Sequence, residues 1–261
     1  MTAGGGTAVL QTRTSAWAGG IALLLLVAPF AGLLFATDWR HFHFAVGDGG
    51  AVAVSLAYSL LALVPIIGLG TPLAWWLARR HSPIKWLADA LLLLALLTPP
   101  LAMGLLLATT FGPYGVVGRL LQHVGVSLTN SAPAFVMAQF YAALPYYVIA
   151  ARAAFEGVPR ELEQIALTLG HSPARCFFHV SLPLARLGLA AALALAWVRA
   201  LGEFGVVLIV AYYPQGIPVK LWVNLQDVGL PAVYPLLWVF FLVALPLPLV
   251  LGLMARRHRL I

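Results

Sequence analysis

The sequence predicts an all-α integral membrane protein, a six-span helical bundle with a pair of short helices between spans four and five. Three observations carry this. Of 261 residues, 62% are apolar and only 9% are charged, against roughly 45–50% and about 25% in an average soluble domain. The apolar residues gather into long uninterrupted stretches. The basic residues gather between alternate stretches. So few charges could not cover a soluble core, and a disordered chain would need low hydropathy and high charge.

The stretches run over 17–36, 52–77, 86–111, 132–151, 184–212 and 232–254. Each approaches or exceeds the ~20 residues that a spanning helix requires. They are too continuously apolar for barrel strands, which alternate and span about 10 residues, so helices are the remaining way to satisfy the backbone in lipid. The first stretch also resembles a signal peptide, with Arg13 upstream. Its length and the lack of a clean A-x-A site before Thr37 favour a retained span. The second and third stretches contain Pro65, Pro72, Pro99 and Pro100. Adjacent prolines must distort a helix, so Pro99 and Pro100 are the foremost hinge candidates.

Orientation follows from the loops. With the N-terminus inside, eleven of the 15 basic residues lie on the cytoplasmic side: Arg13, Arg79, Arg80, Lys85, Arg152, Arg160, Arg175, Arg186, Arg256, Arg257 and Arg259. Arg40, Arg119 and Lys220 lie outside, and Arg199 falls within span five. Both termini are therefore expected in the cytoplasm. Topology also accounts for the net charge of +7 without nucleic acid. The outer loops, 37–51, 112–131 and 213–231, are too short to fold as domains, so residues 1–261 read as one domain. One cysteine, Cys176, excludes an intrachain disulfide framework and reads as a spectator.

The longest polar stretch, 152–182, reads as a docking device. Phe155, Val158, Leu162, Ile165 and Leu169 recur at helical spacing on one face. Gly170 suits a left-handed helix end, and Ser172 with Pro173 suits the start of a second helix. The polar side carries Glu156, Glu161 and Glu163 with Arg160 as its only base. Anionic lipid would repel such a face, which favours a partner protein over the membrane surface.

Here the chain resembles a family. Gln164-Ile165-Ala166, three residues, Gly170, nine residues, then Val180-Ser181-Leu182-Pro183 is similar to the "EAA" signature of ABC importer permeases. Gln164 replaces the usual Glu, with Glu163 adjacent, and Ile165 replaces an Ala. Gly70–Arg80, Leu97–Pro100 and Phe111–Gly115 resemble molybdate and sulfate permeases, as does Arg199-Ala-Leu-Gly-Glu-Phe-Gly205. Val210-Ala-Tyr-Tyr-Pro214 looks most like the tungstate/molybdate branch. The resemblance implies an ABC permease subunit of the prokaryotic inner membrane, carrying tungstate- or molybdate-type oxyanions by ATP-driven alternating access. It implies a second permease subunit forming a homodimer, a cytoplasmic ATPase dimer and an extracytoplasmic binding protein. Glu163, Gln164, Ala166, Gly170, Leu182 and Pro183 would couple to the ATPase. The chain has no G-x-x-x-x-G-K-[ST] loop, so ATP and Mg belong on the partner and this chain is not itself an enzyme.

Arg199 and Glu203 are four residues apart in an apolar stretch. Each would cost about 2.5–3.5 kcal/mol unpaired at mid-bilayer. Three readings stand: a structural ion pair, a gate that changes partner, and direct contact of Arg199 with the passing anion. Asp89 can reach Lys85 by helical spacing. His41 and His43, with Asp38 and Asp48 nearby, form no convincing metal motif. The alternatives to the oxyanion reading are a sulfate or thiosulfate ABC permease and a stand-alone anion carrier. A carrier should hold several ionisable residues within the membrane, and the spans centre on two.

Overall fold

The computed structural model describes residues 5–80 and 82–257, with side chains over 17–80 and 82–254. Arg13, Arg256 and Arg257 fall outside the described side chains and Arg259 outside the described residues. Among the described residues every regular element is helical. The chain order is α1 Gly5–Ala36, α2 Asp48–Arg79, α3 Lys85–Leu97, α4 Pro100–Phe111, α5 Val116–His123, α6 Ala132–Glu156 and α7 Arg160–Thr168. It continues with α8 Pro173–Cys176, a π-helical turn Phe177–Ser181, α9 Leu182–Leu201, α10 Gly205–Val210, α11 Ile217–Asp227, α12 Leu230–Ala244 and α13 Pro246–Arg257. Five helices are long and apolar enough to cross a membrane, or six if the bent pair α3–α4 is one span.

Helix α6 is the centre, packed between α2 and α9. Its core face is a stripe of small residues, Ala134, Ala138 and Ala142, each four apart. On α9 the matching stripe is Ala185, Ala192, Ala196 and Ala200. Lipid gives no hydrophobic drive for helices to associate, so close van der Waals approach must do it, and small residues permit that approach. Two glycines set the limit. A Cβ on Gly70 of α2 would lie 2.7 Å from the Tyr147 ring, and one on Gly188 of α9 would lie 2.4 Å from Ala154 Cβ. One polar side chain fastens all three helices: Gln139 Nε2 donates to Ser59 Oγ at 2.8 Å and to the Ala200 carbonyl at 2.9 Å. At the end of the bundle away from α7, Asp48 accepts from Asn224 Nδ2 and from the Ala45 amide, both at 2.9 Å. Ser55 Oγ there accepts the Ile217 amide at 2.7 Å. These bonds tie the start of α2 to α11.

The apolar window of α1 is unburied. Near its end Phe30 meets Phe241 and Leu33 is buried, and just past it Thr37 Oγ1 accepts from Trp238 Nε1 at 3.0 Å.

Two spans depart from the sequence reading. The stretch 86–111 is predicted as one span but is bent by 114° between α3 and α4. Pro99 and Pro100 remove two amide donors, and a residue before proline is pushed out of the helical region. Thr98 accordingly has ψ 121 and Pro99 ψ 142. The stretch 184–212 is predicted as continuous too, yet α9 stops at Leu201 and a six-residue α10 follows. Helices α4 and α10 then lie side by side. A Cβ on Gly205 would meet Pro100 Cβ at 2.7 Å, and one on Gly104 would meet Ile209 Cβ at 2.8 Å.

This contact makes a prediction. Gly205→Leu or Gly104→Leu should force α4 and α10 apart and cost about 1–3 kcal/mol, the usual penalty for overpacking. A lowered thermal midpoint in detergent reads it. Gly68→Ala, where a Cβ meets nothing within 4 Å, is the matched control and should not lower the midpoint.

Candidate functional site: the α7–α8 segment and the α9–α10 junction

The segment between α6 and α9 has the form predicted for it, with its faces redistributed. Helix α6 ends at Glu156, and Pro159, extended at ψ 126, starts α7 in a new direction. Helix α7 ends at Thr168 and the chain turns at Gly170, whose φ of +87 lies in the left-handed region that favours glycine. The Gly170 and His171 amides close the turn onto Leu167 and Ala166 carbonyls. Ser172 Oγ accepts the Arg175 amide at 3.3 Å and Pro173 opens α8, as the sequence indicates. From Pro173 the helix runs through the π turn and α9 to Leu201.

The predicted apolar face does not hold together. Phe155 and Val158 are buried in the bundle, whereas Leu162, Ile165 and Leu169 are exposed. The break at Gly157–Pro159 resets the helical phase, so residues before and after it share no common face. Leu167 is exposed as well. Helix α7 therefore turns an apolar surface outward, with Gln164 and Glu161 also exposed. The inward positions are Ala166 and Glu163. Leu182 is half-buried, and Pro183 is exposed in the first turn of α9.

Glu163 is held from two sides. Arg79 Nε, at the end of α2, lies 2.9 and 2.8 Å from its two carboxylate oxygens. Ser181 Oγ, in the π turn, donates to Oε1 at 2.7 Å. Arg79 Nη2 also donates to the Val158 carbonyl at 3.0 Å, and Arg160 Nη2 to the Ala78 carbonyl at 3.1 Å. Sequence reasoning finds Glu163 but not Arg79 or Ser181, since both partners are distant in sequence. Asp89 takes Arg152 at 2.6 Å, not Lys85, and Arg152 also bonds Glu156 at 2.7 Å. A single lysine ammonium gains little from a surface pair, whereas Arg152 offers a fork that serves two carboxylates.

The second feature is the junction at 202–204. Arg199 and Glu203 are paired, as their spacing predicts. Glu203, however, lies past the end of α9 rather than within a continuous helix. Its buried carboxylate also accepts the Val206 amide at 2.7 Å. A helix that starts inside an apolar layer exposes amides that no water can satisfy. Glu203 caps one of them, and Arg199 balances its charge. Arg199 in turn lies over the Tyr146 ring, 5.5 Å from its centroid, a favourable cation–π placement. Gln139, bonded to Ala200, braces the last turn of α9 beside the break. A lone glutamine in an apolar span was the sequence signal for it.

His41 and His43 do not converge on a common site. His41 Nδ1 bonds Asp38 at 2.8 Å, which holds the Asp38 carboxyl below the usual carboxylate range, and His43 turns to the His41 carbonyl. Asp48 is engaged with Asn224. Among the described residues no three such side chains gather to hold a metal.

The two roles of Glu203 separate by substitution. Glu203→Gln keeps an oxygen for the Val206 amide and loses the charge. Glu203→Leu loses both and should cost about 1 kcal/mol more, the value of a helix cap. Thermal melts in detergent should rank wild type above Glu203→Gln and Glu203→Gln above Glu203→Leu.

Comparison with known proteins agrees with this geometry. Residues 70–259 match the family model described as "Binding-protein-dependent transport system inner membrane component". The chain is 37% identical over 219 residues to a probable molybdenum ABC transporter permease protein of Haloferax volcanii, covering 83% of this chain and 80% of that one. It is 37% identical over 164 residues to the molybdenum transport system permease protein ModB of Azotobacter vinelandii, covering 62% and 73%. Among solved structures it superposes on a bacterial alginate ABC transporter crystallised with its alginate pentasaccharide-bound periplasmic protein. The TM-score is 0.74 and the identity 18%, over 95% of each chain, a likeness of fold. The chain is thus a multi-pass membrane protein and belongs to the family of binding-protein-dependent transport system inner membrane components.

Proposed function

We propose that this chain is the permease subunit of an ABC importer for molybdate-type oxyanions, tungstate included. The observation that carries the reading is the outward apolar face of α7, closed by the left-handed turn at Gly170. A membrane protein has no reason to hold Leu162, Ile165 and Leu169 in water unless a partner covers them. The molybdenum relatives supply the substrate class. Residues 1–261 act as one transmembrane domain with both termini in the cytoplasm, which places α7 and α8 on the cytoplasmic side. A second copy completes the pathway, and an extracytoplasmic binding protein delivers the anion.

The partner on α7 is an ATPase dimer, one subunit per permease, which holds the ATP and Mg. Its movement is received by Leu162, Gln164, Ile165 and Leu169. Gly170 fixes the path of the chain into α8, and Leu182 and Pro183 begin the helix that leads to the junction at Arg199 and Glu203. The ion pair neutralises the carboxylate at the junction, and alternating access requires it to be rearranged or carried as a unit.

The test is ATP hydrolysis by the chain co-purified with its ATPase, in liposomes, with binding protein loaded by molybdate, tungstate or sulfate. Molybdate or tungstate should stimulate hydrolysis. Gly170→Leu, strained by the positive φ, should lower that stimulation by roughly tenfold, within the range of coupling free energies between sites. Stimulation by sulfate alone would reassign the substrate. Anion flux by the chain with no ATPase would overturn the reading.

A further inference from the structure

Three elements meet on one carboxylate at the α7 end of the bundle. Glu163 belongs to α7, Arg79 to the last turn of α2, and Ser181 to the π turn that opens into α9. The carboxylate is largely shielded: the Glu163 side chain is 13% exposed and that of Arg79 is 9% exposed. Ser181 is fully buried. Such a pair is hard to break, because removing one partner strands the other as an uncompensated buried charge. Two further bonds cross the same seam in opposite senses, Arg79 to the Val158 carbonyl and Arg160 to the Ala78 carbonyl. The end of α2 and the start of α7 are therefore laced together at three points. The π turn interrupts the α-helical ladder between α8 and α9, and such i→i+5 turns are short, rare and often mark functional sites. It is held on its inner side by Glu163.

We propose that Glu163 is a positioning residue that carries the displacement of α7 to α2 and α9 together, and that it does not contact the ATPase. This rests on the docking of an ATPase on α7. The polar groups that α7 leaves for a partner are Glu161 and Gln164, which are exposed. Glu163 faces the other way, with both oxygens occupied from within the chain. If α7 is pushed, the shielded ion pair obliges α2 to follow, and the Ser181 bond obliges the base of α9 to follow. These are two of the three helices that form the bundle core. Without the carboxylate, α7 still offers its outer face, but its tie to α2 is reduced to the two carbonyl bonds and the Ser181 tie to the base of α9 is lost.

The experiment separates docking from transmission. The chain and its ATPase are co-purified, and basal and binding-protein-stimulated ATP hydrolysis are measured in liposomes. Glu163→Gln should still bring down the ATPase and keep basal hydrolysis, while stimulation falls by roughly tenfold. Arg79→Gln should do the same, and Arg79→Lys, which keeps the charge, should restore part of the stimulation. A purely structural role would lower yield and basal hydrolysis together instead. Loss of co-purification in folded Glu163→Gln would overturn the proposal, because Glu163 would then be a docking contact. Unchanged stimulation would overturn it as well. If Glu163→Gln does not fold, Ser181→Ala removes the single bond to α9, and stimulation equal to wild type there would sink the idea. Wild-type chain that never retains an ATPase would instead bring down the permease reading on which it stands.

Discussion

A break in a helix inside an apolar layer exposes backbone groups that lipid cannot satisfy, and much of this structure answers that constraint. At 98–100 the answer is proline. Pro99 and Pro100 have no amide to leave unpaired, so α4 begins with fewer orphan donors than it would without them. At 202–204 the answer is a charge. Glu203 takes the Val206 amide, Arg199 neutralises Glu203, and Tyr146 backs Arg199. The two repairs are placed against each other, since Gly205 packs on Pro100 and Gly104 on Ile209. Each short helix thus covers the other's irregular start.

The long helices meet a different demand. With no hydrophobic gain from leaving lipid, α2, α6 and α9 associate through contact area and a few polar bonds. Alanine and glycine supply the closeness. Gln139 supplies a bond to each neighbour, and Tyr147 joins Thr71 at 2.7 Å. Over its described side chains, α1 buries no such stripe. Its glycines Gly19, Gly20 and Gly32 have open space around them, and near its end Phe30 meets Phe241 and Leu33 is buried.

How legible this was in the sequence depended on what each signal measures. Hydropathy measures residence in lipid, so the positions of α1, α2, α6 and the α12–α13 pair followed from it. It is blind to chain direction, and the bend after α3 and the stop after α9 were invisible to it. Pro99 and Pro100 located the first break without its angle. Nothing apolar marked the second, where Gly202 and Glu203 could equally lie within a helix. Turn chemistry was readable at Gly170, Ser172 and Pro173, because left-handed φ and capping are local. The orientation of α7 was not. Helical spacing assumes one continuous axis, and Gly157–Pro159 interrupts it, so Phe155 and Val158 went to the core while Leu162, Ile165 and Leu169 went outside. Asp89 failed for a related reason. A local i,i+4 partner was legible, and the stronger partner, Arg152, lies on another helix.

The same continuity argument, applied where the axis is unbroken, links the two features of the site. Helix runs from Pro173 to Leu201, 29 residues through α8, the π turn and α9, or roughly 44 Å at 1.5 Å per residue. One end lies beside Gly170 and the other carries Arg199. A rod of that length moves as a body where its side is packed, and α9 is packed along α6 by its alanine stripe. Its freedom lies at its two ends. At the lower end the π turn is tied by Ser181 to Glu163, and at the upper end Gly202 separates the rod from α10. A tilt of the rod therefore reaches the junction as a displacement of Arg199 relative to Val206, with Glu203 bonded to both. Glu203 either follows Arg199 and uncaps α10, or holds Val206 and strains the ion pair. Either choice is opposed by a buried, fully partnered carboxylate, so the junction resists deformation and couples the end of the rod to the start of α10.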